Sequence, residues 1–98
     1  MVKIYRQGDV ILRKIEDGID REGLVKIAEE LKVGGETGHL HTMDTPVFRN
    51  GEWGRQEIII LDTPKEMKHE EHAWLTIEAG AYEVGRVRDY LTSHSYLD

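Results

Sequence analysis

Arg21-Glu22-Gly23-Leu24-Val25-Lys26-Ile27-Ala28-Glu29-Glu30-Leu31-Lys32 is the stretch on which the fold class turns. Leu24, Ile27, Ala28 and Leu31 are spaced for one face of an amphipathic helix, with Glu29, Glu30 and Lys32 largely off it. The same residues contain Leu24-Val25-Lys26-Ile27-Ala28, which reads equally as a strand, and Gly34-Gly35 stops either element. The surroundings tip the balance to a strand, because every neighbouring segment is strand-like.

On the amino-terminal side, Val10-Ile11-Leu12-Arg13-Lys14-Ile15 is short, apolar and partly β-branched, entered from a Gly8-Asp9 turn and ended at Asp17-Gly18. On the carboxyl-terminal side, Gly38-His39-Leu40-His41-Thr42-Met43 follows a glycine-rich turn. As a strand it places His39, His41 and Met43 on one face and Leu40 and Thr42 on the other. Val47-Phe48-Arg49 leads into Asn50-Gly51, a strong hairpin signal. Ile58 to Leu61 is apolar on both strand faces, and Asp62-Thr63-Pro64 closes it. Lys65 to His72 reads either as a turn of helix or as a strand. Trp74 to Glu78 is a further short strand, and Tyr82 to Tyr90 a long one. Short strands separated by turns predict an all-β domain spanning residues 1–98, a small antiparallel barrel or sandwich with room for one short helix.

A single domain of 98 residues has a thin core, which a metal ion or a second subunit can support. The unalternating Ile58 to Leu61 run needs cover on its outer face, either from a helix over 21–32 or from a second copy, and predicts a homodimer. The net charge of −6, with no sustained basic run, argues against a nucleic-acid partner. Zero cysteines exclude disulfides and thiolate chemistry. With no signal-like or membrane-length apolar run, the expected location is the cytoplasm.

Four of the five histidines fall in two pairs, His39-Leu40-His41 and His69-Glu70-Glu71-His72. Imidazole plus carboxylate is the donor set of a zinc, iron, manganese or nickel site, with zinc the leading choice. The first reading is therefore a mononuclear site in which His39 and His41 are joined by ligands from His69, Glu70, Glu71 and His72. An open coordination position would then admit water or a small-molecule substrate, with Glu70 or Glu71 as the catalytic general base. The second reading is ligand-free histidines paired to nearby carboxylates, and the third is a solvated polar loop. His69-Glu70-Glu71-His72 is one residue short of the metallopeptidase helix spacing, so that chemistry has no support. Asp9 reads as a turn cap rather than an acid, and Arg86 and Arg88 as surface ion-pair partners before substrate anchors.

Gln7-Gly8-Asp9-Val10, Glu36-Thr37-Gly38-His39-Leu40-His41, His69-Glu70-Glu71-His72-Ala73 and Glu78-Ala79-Gly80-Ala81-Tyr82-Glu83-Val84 occur in that order. In them the chain resembles a family of small, mostly uncharacterised prokaryotic and phage-borne proteins, a resemblance that brings no activity with it. More widely, His39-Leu40-His41 is similar to the HisXaaHis pair of the cupins, small metal-binding β-barrels. That resemblance implies a cupin-like roll in which Glu70 or Glu71 stands in for the cupin glutamate and His69 or His72 for the later histidine. The function expected is a metal-binding protein, with a small metal-dependent enzyme as its sharper form. The opposing expectation is a non-enzymatic structural or protein-interaction module with a closed metal site or none.

Overall fold

The structure, a computed structural model, describes residues 3–16, 21–34, 38–50 and 56–87. Ten strands follow in chain order: β1 (Ile4–Gln7), β2 (Val10–Lys14), β3 (Leu24–Ala28), β4 (Leu31–Gly34), β5 (Leu40–Met43), β6 (Val47–Asn50), β7 (Glu57–Leu61), β8 (Lys65–Met67), β9 (Leu75–Ile77) and β10 (Gly80–Arg86). The 21–32 stretch thus holds two strands, preceded by one 3-10 turn at Arg21–Gly23. Glu29 and Glu30 form the bend that separates β3 from β4, and no helix among the described residues covers the sheet there.

Six strands form one antiparallel sheet in the order β1-β2-β10-β7-β6-β3. Its centre is the β2, β10 and β7 trio, where Val84 sits opposite Leu12 on one side and Glu57 on the other. Two hairpins, β4-β5 and β8-β9, make the second layer. They are joined by a short antiparallel bridge at which Thr42 and Lys68 exchange both backbone hydrogen bonds at 2.9 Å.

The layers close on one core. Val10, Leu12, Ile59, Leu61, Tyr82 and Val84 from the large sheet pack with Leu31, Val33, Met43, Met67 and Ile77 from the hairpins. Alternation selects these side chains: Val10, Leu12, Ile59 and Leu61 take the inward parity. The fold is therefore a predominantly antiparallel, sandwich-like β domain. Closure into a barrel does not occur: β1 and β3 remain edges of an open sheet, which corrects the β-barrel expectation.

The outward parity of β7 is also apolar. Ile58 is buried beside its register partners Phe48 and Glu83, and Ile60 is half-buried. Leu24, Phe48 and Ile60 line a groove of about 220 Å³ on that side. No helix among the described residues is long and apolar enough to cross a membrane.

Candidate functional site

Both histidine pairs lie at the end of the sandwich where the β1–β2 turn meets β5 and the β8–β9 connection. The ring centroids of His41 and His69 are 4.3 Å apart, those of His69 and His72 are 4.4 Å apart, and His39 lies 5.9 Å from His69. His41 is turned inward by the same alternation that buries Met43, two residues on. His39 precedes the strand and lies at the rim.

Gln7 organises the cluster. Its side-chain amide donates to the carbonyls of Met67 at 3.0 Å and Ala73 at 2.9 Å. The amide nitrogen is thereby fully used, so Gln7 Oε1 is an acceptor for His41 Nδ1, 2.9 Å away. His41 must then carry its proton on Nδ1, which leaves Nε2 as a bare lone pair. Nε2 is buried without a hydrogen-bond partner, 3.5 Å from Asp9 Oδ1. Asp9 is in turn held by Arg86, at 3.0 Å. Burial pushes the His41 imidazole below the ordinary histidine value; His69 and then His72 push the same way, and Asp9 opposes them.

The other rings have different engagements. His39 places Nδ1 2.7 Å from Glu70 and Nε2 2.8 Å from Glu71, so a carboxylate faces each nitrogen of the ring. His69 Nδ1 accepts the backbone N–H of Glu71 at 2.9 Å. His72 lies over the β1–β2 turn, where a Cβ on Gly8 would stand 2.7 Å from its Nε2. Gly8 has φ +58°, the left-handed conformation that this close approach uses.

The structure thus brings together all four paired histidines, with Glu70 and Glu71 beside His39. It does not arrange them as a metal centre. Among the described residues no group of three or more His, Asp or Glu side chains could hold a metal ion, which corrects the metal-binding and zinc expectations. Several of the expected donor atoms face protein partners instead. His39 is spent on two carboxylates, and His41 Nδ1 and His69 Nδ1 are held by Gln7 and Glu71. The carboxylates expected to act as a general base are occupied by the same ring.

A cleft of about 610 Å³ opens beside the cluster, with His39, His69 and Glu70 on its wall. Leu40 and Trp74 line it and are 46% and 58% exposed; Ile4, Val25 and Ile27 are exposed elsewhere on the domain, but only Leu40 and Trp74 of these five meet at a cleft lined by the histidine cluster. Lys68 Nζ lies 5.1 Å from the Trp74 ring centroid. Gln7, Asp9 and Arg86 are the cluster members that pattern reading leaves outside the site, with Asp9 read as a turn cap and Arg86 as an ion-pair partner. The signal for Gln7 lay in the Gln7-Gly8-Asp9-Val10 stretch, whose glycine marks the turn that carries it.

Fold and site together define a small antiparallel β sandwich with a buried imidazole cluster at one end. The chain belongs to the family described as Domain of unknown function (DUF8820), which it matches over residues 6–87. That span takes in Gln7, Asp9, all four clustered histidines and Arg86. No curated protein and no solved structure matches the chain.

Proposed function

We propose that this chain is a non-enzymatic protein-interaction module that docks a partner segment in the cleft between β5 and residues 68–74. The observation that carries this reading is the pair Leu40 and Trp74, two large apolar side chains left exposed on the cleft. Tryptophan anchors of this kind dominate binding energy at interfaces. Glu70 and Glu71 are engaged by His39 rather than free to activate water, which favours binding over catalysis. Trp74 already has a cation over its face in Lys68, and the chain carries a net charge of −6. A partner segment with an apolar residue beside a basic one fits both features.

Peptide arrays pairing leucine with arginine, and matched arrays pairing leucine with glutamate, test this. Basic arrays should bind, and Trp74→Ala should weaken that binding by about tenfold or more, the usual effect of removing a hot-spot aromatic. Equal binding to both arrays, or indifference to Trp74→Ala, would sink the reading.

Self-association is a second reading, favoured by the apolar groove of Leu24, Phe48 and Ile60 on the opposite side of the large sheet. Sedimentation equilibrium between roughly 10 and 200 µM should show a dimer that Phe48→Asp dissociates, since a stable dimer is populated by mass action in that range. A monomer at every concentration removes it.

A further inference from the structure

We infer that the cleft takes its partner as an extended strand, paired backbone to backbone with Leu40 on the free edge of β5, with an apolar residue opposite Leu40 and a basic residue next to it in sequence. The inference rests on the docking reading and deepens it, because it names the shape and the side-chain order of the segment that docks.

The backbone pattern of β5 carries it. Thr42 exchanges both of its main-chain bonds with Lys68, at 2.9 Å each, so its N–H and C=O point away from β4. Main-chain groups on a strand alternate sides from one residue to the next, which sends those of His41 and Met43 to β4, opposite Val33 and Leu31. The groups of Leu40, two residues before Thr42, therefore point the same way as those of Thr42, into the cleft. Were the bridge to continue, Leu40 would meet Glu70. Instead residues 70–72 form a bend, and among the described residues no backbone bond joins Leu40 across the cleft. The two chains part like the arms of a fork just beyond the Thr42–Lys68 pair. One donor and one acceptor of β5 are left facing a space of about 610 Å³. A strand laid there repeats the two-bond exchange of Thr42 and Lys68, antiparallel to β5, which is how open sheet edges take up extended segments. A helix in the same place would offer Leu40 no donor, since its N–H groups are used within it.

The side chains of the fork are sorted by the same alternation. Leu40, Thr42 and Lys68 share one face, and Lys68 Nζ lies 5.1 Å from the Trp74 ring centroid. A partner residue paired with Leu40 puts its side chain on that face, beside Leu40 and within the cleft that Trp74 also lines. Its neighbours in sequence point to the opposite face, that of His39, where Glu70 and Glu71 each face one ring nitrogen. Two exposed carboxylates against one imidazole leave that side negative, which suits a basic residue. An apolar residue beside a basic one thus follows from the two-residue period of a strand.

Isothermal titration of the intact chain with a blocked pentapeptide tests this, the peptide having leucine at its centre, an arginine on each side and threonine at both ends. The same peptide methylated on the leucine nitrogen keeps every side chain and charge but lacks the donor to the Leu40 carbonyl. It should bind about tenfold more weakly or worse, through the lost hydrogen bond and the bulk of a methyl group between two strands. Methylation of the following arginine nitrogen, which points away from β5, should change binding by less than about threefold. Hydrogen exchange of the Leu40 amide should slow about tenfold or more at saturation. Equal effects of the two methylations, or unchanged exchange at Leu40, overturn strand addition. If the parent peptide still binds in that case and Trp74→Ala weakens it, docking survives in another geometry. No saturable binding up to about 1 mM removes both ideas. A slowed Leu40 amide with indifference to Trp74→Ala removes the Trp74 anchor and keeps the strand.

Discussion

Leu12 and His41 are equally hidden from solvent, at 0% and 1% exposure, yet they are held in place by unlike means. Leu12 lies among aliphatic side chains of both layers, where the favourable term is area removed from water. No bond there depends on direction, and a neighbour of similar volume can substitute. His41 lies at the end of the same sandwich, and its position depends on one amide oxygen that faces the correct ring nitrogen. Where burial is apolar, loss is graded with volume. Where it is polar, one missing partner strands several others, because an unmade hydrogen bond in a dry site costs more than a made one contributes.

The sharpest way to break that comparison is at Leu12. Leu12→Ala should lower the unfolding free energy by about 2–5 kcal/mol, the range for a fully buried leucine whose cavity does not collapse. Urea midpoints at pH 7.5 measure it. A loss below about 1 kcal/mol would mean that the two layers slide together to fill the space.

Gln7→Leu comes next. It conserves bulk but leaves the carbonyls of Met67 and Ala73 and the N–H of His41 without their partner. Water reaching the exposed Ala73 side relieves part of this, so we expect about 2–3 kcal/mol. Gln7→Glu should not rescue, because a carboxylate cannot donate to either carbonyl. If Gln7→Leu is neutral, the cluster is held by packing after all and the distinction collapses.

Gly8→Ala probes the turn that seats His72. Alanine at φ +58° meets the left-handed penalty, and its Cβ would press on the end of the exposed His72 ring, which can turn away. The expected loss is therefore the backbone part alone, about 1–2 kcal/mol, read from the same urea midpoints. A much larger loss would show that His72 is fixed.

How far each region is legible in sequence follows from the same difference. The β-branched run from Ile58 to Leu61 and the alternation through Tyr82 and Val84 announce strands because burial acts on consecutive residues. The alternation that pairs His41 with Met43 even gives the correct inward face for His41. What it does not give is the partner. Gln7 reaches His41 across 34 positions, Met67 across 60 and Ala73 across 66, and Asp9 meets Arg86 across 77. Those contacts exist only once β1, β5, β8 and β10 have been brought to one end of the sandwich. Hence two neighbouring histidine pairs were readable as a cluster, whereas their use as hydrogen-bonding groups rather than metal ligands was decided by tertiary placement. The helical alternative for residues 21–32 fails for a related reason. Pairing of β3 with β6 and of β4 with β5 outweighs a local period of 3.6.

The smallest expected effect, and the one most specific to the polar region, is the pH dependence of stability. His41 has its folded value lowered, first by burial and then by His69 and His72. A group lowered in this way binds its proton more readily in the unfolded chain. Its stabilising contribution is therefore complete above the unfolded value of about 6.5 and is lost as pH falls from there through the folded value. Glu78 is also lowered, chiefly by its hydrogen bond with Lys3, but its loss falls below the ordinary carboxylate value of 4.5 and so outside this window. Between pH 7.5 and pH 5.5 the unfolding free energy should therefore drop by an amount of order 1 kcal/mol, since each pH unit of unmatched protonation is worth about 1.4 kcal/mol. Leu12→Ala should lower the whole curve without changing this slope, because the core does not titrate. His72→Gln should reduce the slope, because it removes one of the rings that oppose a charge on His41. A flat wild-type profile would mean that His41 takes up its proton as easily folded as unfolded. In that case Asp9 is answering the charge fully, and the buried lone pair is no more exacting a tenant than Leu12 in the core.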